Sequence, residues 1–144
     1  MLTFQSKDEL FGYLVRKFKS GNNVILIRGS TAHGTLKQFS DVDVEIYEKS
    51  RKPYYDIAFV GSKLILVTIY FYPYKAGKPC FFEDNVRVLY GEYNDNLKPI
   101  FKKDTYNSGE KTIRECQLLI DSFFKYLRTK DKKYLEAVKK RINP

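Results

Sequence analysis

The strict alternation of acidic and apolar residues over residues 41–47 is the feature that most constrains the fold of this chain. Successive side chains of a β-strand point to opposite faces of a sheet, so a period of two predicts a strand with two different faces. The apolar face holds Val42, Val44 and Ile46. The other face holds Asp41, Asp43 and Glu45. The sequence therefore predicts a sheet that buries one side and carries three carboxylates on the other.

The segments before this strand predict a helix and a second strand. Ser6 and Glu9 form a capping box, in which each side chain satisfies an unpaired backbone amide at a helix start. Apolar residues then recur at helical spacing and Gly21 supplies a stop, so we expect an amphipathic helix over 7–20. The unbroken run Val24–Ile27 is typical of a central strand covered on both faces.

The segments after this strand predict a β-hairpin, a further strand and two helices. The strands cover residues 54–60, 64–72 and 86–90, with a glycine-containing turn at 61–63 in the hairpin. A helix is predicted over 109–128, with an apolar stripe of Ile113, Cys116, Ile120, Phe123 and Leu127. Thr129 is a plausible cap for a second helix. Its expected inward residues are Tyr134, Leu135, Val138 and Ile142.

These elements together predict an α+β protein with a small mixed β-sheet flanked by helices and a C-terminal helical tail. We expect the core over residues 1–104 and the tail over residues 105–144, as parts of the same compact unit. A chain of 144 residues has the usual size of a single domain, and two full catalytic domains would not fit in it.

Composition and short motifs exclude several classes of protein. Hydrophobic residues make up 43% of the chain, which is enough to bury a core and argues against disorder. The longest apolar stretch, Leu64–Tyr72, is too short to cross a bilayer. The N-terminus does not read as a signal peptide, and two cysteines are too few for a disulfide framework. We therefore expect a cytoplasmic protein in which Cys80 and Cys116 are reduced, buried thiols.

Positive charge is concentrated near the C-terminus. Residues 101–144 hold 12 Lys and Arg against 6 Asp and Glu, so this third of the chain supplies most of the net charge of +9. A basic face of this kind could attract nucleic acid, nucleotide phosphates or an acidic partner. A solvated, lysine-rich helix surface is the alternative interpretation.

The stretch from Gly29 to Glu45 carries the residues best suited to chemistry. Gly29 and Ser30 follow a predicted strand, and ten residues separate them from Asp41-Val42-Asp43. Glycine lets the backbone approach a ligand, and a serine at the start of a short helix offers its hydroxyl and nearby amides to a phosphate. Two carboxylates at i and i+2 of a strand point the same way and suit Mg²⁺, which prefers oxygen ligands. These parts fit attack on a nucleoside triphosphate with release of pyrophosphate.

The order Gly29-Ser30, ten residues, Asp41-Val42-Asp43 resembles the signature of minimal nucleotidyltransferases of the DNA polymerase β-type superfamily. Gly34 and Ser40 also match positions that recur in that family, and the resemblance covers roughly residues 20–90. It implies a nucleotidyltransferase fold, a triphosphate substrate and transfer of a nucleoside monophosphate to an acceptor. It further implies that Gly29 and Ser30 contact phosphate and that Asp41 and Asp43 ligate catalytic Mg²⁺ or Mn²⁺.

The chain departs from this family at the third carboxylate. Relatives usually carry one on a later strand beside the Asp-x-Asp, whereas Leu64–Tyr72 contains neither Asp nor Glu. Glu45 or Asp56 could substitute, although each reads more simply as a surface residue. Losing a general base typically lowers a rate by about 10²- to 10⁴-fold. The alternative is therefore a catalytically decayed nucleotide-binding or protein-interaction module.

Other side chains near the motif allow weaker hypotheses. His33 could contact phosphate or an acceptor, and Arg28 and Lys37 could meet phosphates; a structural or surface role is the alternative for all three. The aromatic cluster over 70–74 could stack on a base, or it could form a sheet core with an amphipathic edge.

The resemblance also suggests partners. Stand-alone relatives of this size often pair with a helical HEPN-type protein, and some act as antitoxins that adenylylate the partner toxin. ATP is the expected nucleotide from its frequency in the family. The apolar surface around Phe123, Phe124, Tyr126 and Leu127 could serve a homodimer or such a partner, or it could pack on the sheet. Transfer to RNA, as in CCA-adding relatives, is a further alternative that would use the basic tail.

Overall fold

The computed structural model describes residues 1–21, 23–48, 51–73, 85–92 and 108–144. Within these ranges the chain forms one mixed sheet and three helices, as expected for an α+β protein. The strands are β1 Leu2–Phe4, β2 Val24–Arg28, β3 Asp41–Glu48, β4 Arg51–Val60, β5 Lys63–Pro73 and β6 Val86–Tyr90. The helices are α1 Lys7–Phe18, α2 Ser108–Thr129 and α3 Lys132–Ile142. The predicted boundary at residues 104 and 105 lies outside the described residues.

The six strands lie in the order β1-β4-β5-β3-β2-β6. Strands β1 and β4 are parallel, as are β3 and β5, and the other neighbours are antiparallel. The predicted hairpin is confirmed as β4 and β5, joined at Gly61, which has a φ of +60°. The short strand β1 was not predicted, because three residues carry too little periodicity to be recognised.

Helix α1 covers one face of the sheet, which we call the apolar face. Ser6 caps this helix by accepting a hydrogen bond from the Glu9 backbone amide at 3.2 Å, as the capping box predicts. Leu10, Phe11 and Leu14 pack against the buried side chains of β3 and its neighbours. The β3 members of this core are Val42, Val44 and Ile46, so the predicted alternation is confirmed.

The segment after β2 corrects one expectation. A short helix was predicted to follow Gly29-Ser30, but residues 30–34 form turns. Gly34 donates its amide to the Ser30 carbonyl at 3.2 Å and Ala32 donates to Gly29 at 3.1 Å. The loop to β3 then continues without regular structure until Asp41.

The C-terminal helices differ from the prediction in their cap and in their buried faces. Thr129 ends α2, and Asp131 caps α3 by accepting the Lys133 amide at 3.0 Å. Among the residues expected to face inward on α3, Val138 is buried but Ile142 is 60% exposed. On α2 the deeply buried side chain is Phe124, which is not part of the predicted apolar stripe. It packs edge-on against Phe39.

The expectation for the cysteines is also wrong in part. Cys116 lies on the exposed side of α2 and is a free thiol, not a buried one. Ile113 is exposed beside it on the same side of the helix, so the apolar stripe is not the surface that α2 turns to the sheet. Cys80 lies outside the described residues.

Candidate functional site

The Gly-Ser half of the motif directly follows β2, and the Asp-x-Asp half begins the adjacent strand β3. In the antiparallel pair of β2 and β3, Arg28 is opposite Asp43. Since β2 ends at Arg28, the chain runs on through Gly29 and Ser30 alongside the start of β3, where Asp41 lies. Asp41 and Asp43 share the face opposite α1, which we call the carboxylate face.

The Gly29-Ser30 turn has a conformation that depends on glycine. Gly29 has a φ of +98°, in the left-handed region that other residues avoid, and donates its amide to the Asn85 carbonyl at 2.8 Å. A Cβ atom added at Gly34 would lie 2.5 Å from the Ser30 carbonyl oxygen, so the loop closes tightly on itself. The Ser30 side chain is exposed. Because no helix begins here, any affinity for phosphate rests on the hydroxyl and local amides without a helix dipole.

Asp43 is poorly compensated for a carboxylate inside a protein. Burial raises its pKa most, the negative charges of Asp41, Asp121 and Glu45 raise it further, and Lys125 lowers it; the result is a pKa of about 7. A cation that approaches a carboxyl group with a raised pKa stabilises its ionised form.

Helix α2 lies across the carboxylate face and brings three charged side chains to it. Arg128 forms an ion pair with Asp41, and Lys125 forms one with Asp121 at 3.0 Å. Burial lowers the pKa of Lys125, but the hydrogen bond and charge of Asp121 and the charge of Asp41 outweigh it, so the pKa is raised. Sequence reasoning missed these three residues. The available signal was their spacing of four and three, which places Asp121, Lys125 and Arg128 on one helix face.

Glu45 shares the carboxylate face but is held in a separate buried ion pair. Arg28 donates to both of its carboxylate oxygens, at 2.6 Å and 3.0 Å, and the Tyr47 hydroxyl donates at 2.7 Å. Burial and the neighbouring Glu45 charge raise the pKa of Tyr47, so this hydroxyl keeps its proton. The structure therefore uses Glu45 and Arg28 together as an internal pair, away from Asp41.

Asp56 does not lie with the other carboxylates. It pairs in register with Val67, whose side chain belongs to the core of the apolar face. Its carboxylate accepts the backbone amide of Ile57 at 2.9 Å. At the position of β5 opposite Asp43 stands Thr68, which is buried, so β5 supplies no carboxylate to the site.

Of the other residues predicted to contact phosphate or a base, some have a structural contact and others are exposed or half-buried. The His33 ring nitrogen Nε2 is hydrogen-bonded to the Val86 carbonyl at 2.8 Å, which ties the turn to β6. Lys37 is exposed on the loop. Tyr70 and Tyr72 lie half-buried on the carboxylate face with parallel rings 6.1 Å apart, whereas Phe71 points into the apolar core. Tyr74 lies outside the described residues.

Asp41 and Asp43 carry oxygen donors of the kind that a divalent cation prefers, two residues apart on one face of β3. Arg128 pairs with Asp41, and the positive charge of Lys125 lowers the pKa of Asp43. In the described part of the chain, no three His, Cys, Asp or Glu side chains are already gathered into a metal-binding group. Asp41 would therefore have to leave Arg128 to bind a metal.

No protein-family model matches the chain, and no curated protein matches it either. None of the described helices is both long enough and apolar enough to cross a membrane.

Proposed function

We propose that this chain is a Mg²⁺- or Mn²⁺-dependent nucleotidyltransferase with the corresponding fold. It would transfer a nucleoside monophosphate, with ATP as the expected donor, to a protein or small-molecule acceptor. One observation carries the proposal: the turn at Gly29 and Ser30 lies beside the start of β3, where Asp41 and Asp43 point to the same face. The two halves of the motif, with ten residues between Ser30 and Asp41, would thereby form one site.

Each residue has a distinct role in the proposed reaction. Asp41 and Asp43 would hold the metal, which when bound balances phosphate charge and polarises the phosphoryl group. Ser30 offers an exposed hydroxyl to the β and γ phosphates, and Gly29 allows the backbone to come close to them. The ring of Tyr70 lies on the same face and is available to stack on a base.

The surface of α2 supports the partner part of the proposal. Ile113 is 61% exposed and Phe123 is 41% exposed, and both lie on the stripe that does not face the sheet. Large exposed apolar side chains at helical spacing are typical of a contact with another helix. A HEPN-type helical protein, as an adenylylated toxin partner, or a second copy of the chain would both fit this chemistry.

A second candidate is a decayed nucleotide-binding or protein-interaction module. The observation that favours it is the pairing of Asp43 with Thr68, which leaves β5 without a carboxylate beside the site. Such a module would bind nucleotide and metal without turnover.

Calorimetry with Mg²⁺ and ATP tests the proposal without knowledge of the acceptor. We expect metal-dependent binding by the wild-type protein and its loss in an Asp41→Asn/Asp43→Asn double variant. Asp56→Asn is the matched control, because Asp56 lies on the opposite face of the sheet and should leave binding unchanged. Failure of the folded wild type to bind any of the four ribonucleoside triphosphates would overturn the proposal. If the protein binds ATP, labelling of a partner protein with radioactive ATP would indicate an active transferase, and binding without labelling would indicate a decayed module.

A further inference from the structure

A cavity of about 340 Å³ opens between the start of α1, the loop after Ser30 and the turn that joins β4 to β5. Leu36 and Val60 line it, and both belong to the core on the apolar face of the sheet. Asp41 and Asp43 lie on the carboxylate face and do not line the cavity. Its volume falls within the usual range for small-molecule sites, about 300–1,000 Å³. The cavity is therefore separate from the candidate site and large enough for a ligand of its own.

Two lysine ammonium groups from different elements are fixed at the wall of this cavity. Lys7, the first residue of α1, donates to the Gly34 carbonyl at 2.7 Å. Lys63, the first residue of β5, donates to the Leu36 carbonyl at 2.6 Å. Because these carbonyls are two residues apart in one loop, they hold both positive charges in the same region. An ammonium group has three donors, so each lysine keeps two for a ligand.

The rest of the described lining is neutral. It contains the hydroxyl groups of Ser6, Thr35 and Ser62 and the side-chain amide of Gln5. The carboxylate of Glu9, in the first turn of α1, is not in the lining and accepts the Gln5 backbone amide at 2.7 Å. Among the described residues of the cavity, two positive charges therefore stand beside neutral polar groups, and no carboxylate balances them.

We propose that this cavity binds a small phosphorylated molecule that carries hydroxyl groups, such as a sugar phosphate. Lys7 and Lys63 would hold the phosphate through charge-assisted hydrogen bonds, and the hydroxyl-bearing side chains of the lining would bind the hydroxyl groups of the ligand. A phosphate monoester has a charge of about −1.5 to −2 at pH 7, which matches two ammonium groups. The inference does not depend on the proposed transferase activity, because the two sites share no residue.

Titration of the full chain with ribose 5-phosphate, measured by calorimetry and by ¹H–¹⁵N NMR, tests the proposal. The amide shifts should be confined to the segments around residues 5–7, 34–36 and 60–63. Lys7→Met/Lys63→Met should weaken binding by about a hundredfold, a factor of about ten for each charge-assisted hydrogen bond. Lys132→Met/Lys140→Met is the matched control, since it removes two exposed lysines from α3 and the same charge from the protein.

A second variant keeps the contacts of the loop intact. Ser62 is exposed in the turn between β4 and β5, so Ser62→Glu adds a carboxylate to the lining and leaves both lysines with their carbonyl partners. It should weaken binding by about tenfold or more, with no change in the midpoint of thermal unfolding. Ser62→Gln is the uncharged control of similar size and should bind nearly as well as the wild type.

The ligand series tests the two halves of the proposal. Ribose 5-phosphate should bind more tightly than inorganic phosphate, and ribose should not bind. If the folded wild type binds neither phosphate, or if the α3 control loses as much affinity as Lys7→Met/Lys63→Met, the inference is overturned. Equal affinity for ribose 5-phosphate and inorganic phosphate would overturn the assignment of a hydroxyl-bearing ligand.

One further variant separates this cavity from the candidate transferase site. Asp41→Asn/Asp43→Asn should bind ribose 5-phosphate as the wild type does, because both residues lie on the other face of the sheet. Loss of binding in that variant would place the phosphate at the transferase site, and this inference would fail. A wild type that binds ribose 5-phosphate but no nucleoside triphosphate would overturn the proposed function and leave this inference standing.

Discussion

The two faces of β3 have different surroundings, although alternate residues of one strand form them. On the apolar face, Val42, Val44 and Ile46 are removed from water against α1 and the neighbouring strands. On the carboxylate face, Glu45 is neutralised by Arg28 and Tyr47, whereas Asp43 is left with more negative than positive charge around it. A buried carboxylate that is fully paired supports the fold, and one that is not paired favours an incoming cation.

Asp43 and Glu45 look equivalent in the sequence, because they are two residues apart on the same face, but their surroundings differ. Their positions along the strand decide their partners: Glu45 lies opposite Leu26 and close to Arg28, whereas Asp43 lies under α2. We therefore expect substitutions at the two places to move stability in opposite directions.

Removing the partner of Glu45 should have the largest effect. Arg28→Met leaves a carboxylate that is 7% exposed without its guanidinium, so the free energy of unfolding should fall by about 3–5 kcal/mol at pH 7. Urea denaturation followed by circular dichroism measures the change. A double variant Arg28→Met/Glu45→Leu should recover much of the loss, because no buried charge remains. A single variant as stable as the wild type would show that the pair is not needed.

Shortening a side chain on the apolar face should have the next largest effect. Ile46 is fully buried, so Ile46→Ala should lower the free energy of unfolding by about 2–5 kcal/mol through lost burial and a new cavity. Metal and nucleotide affinity should be unchanged at temperatures where the variant is folded, since the side chain points away from Asp41 and Asp43. Impaired binding in a folded Ile46→Ala protein would show that the two faces are not independent.

Substitution of Asp43 should stabilise the protein while it removes the site. Because its pKa is about 7 when folded and near 3.8 when unfolded, the wild type loses stability as pH rises from about 4 to 7. Asp43→Asn escapes that loss, so the variant should match the wild type below pH 4 and exceed it by roughly 1–3 kcal/mol above pH 7. Urea denaturation at pH 3.5 and pH 8 gives the comparison. Equal stability of the variant and the wild type at pH 8 would mean that the surroundings already stabilise the ionised Asp43 carboxylate.

Local patterns predicted the elements that bear the motif. The alternation over 41–47 identified β3 and both of its faces, and the capping box at Ser6 identified the start of α1. These predictions depend on nearest neighbours in the chain, where geometry follows directly from sequence. The same logic placed the hairpin of β4 and β5 within a few residues.

Features that depend on tertiary contacts were not predictable in this way. The sequence left open which face α2 turns to the sheet; the side that faces it carries Asp121, Lys125 and Arg128. Asp56 was considered beside Asp41, but register places it on the other face. Neither fact can be inferred without knowing which strands are neighbours.

The smallest effect on stability is expected at the edge of the site, where Arg128 pairs with Asp41. Both side chains are partly exposed, at 30% and 26%, so Arg128→Gln should change the free energy of unfolding by no more than about 1 kcal/mol. Its effect on metal binding should be clearer, because the glutamine no longer competes with a cation for Asp41. Isothermal titration with Mg²⁺ and ATP should show tighter binding, while Arg141→Gln, which breaks the ion pair with Glu115 elsewhere on α2, should not. Weaker binding in Arg128→Gln would assign the guanidinium a direct role in holding the triphosphate, and the carboxylate face would then serve the nucleotide as well as the metal.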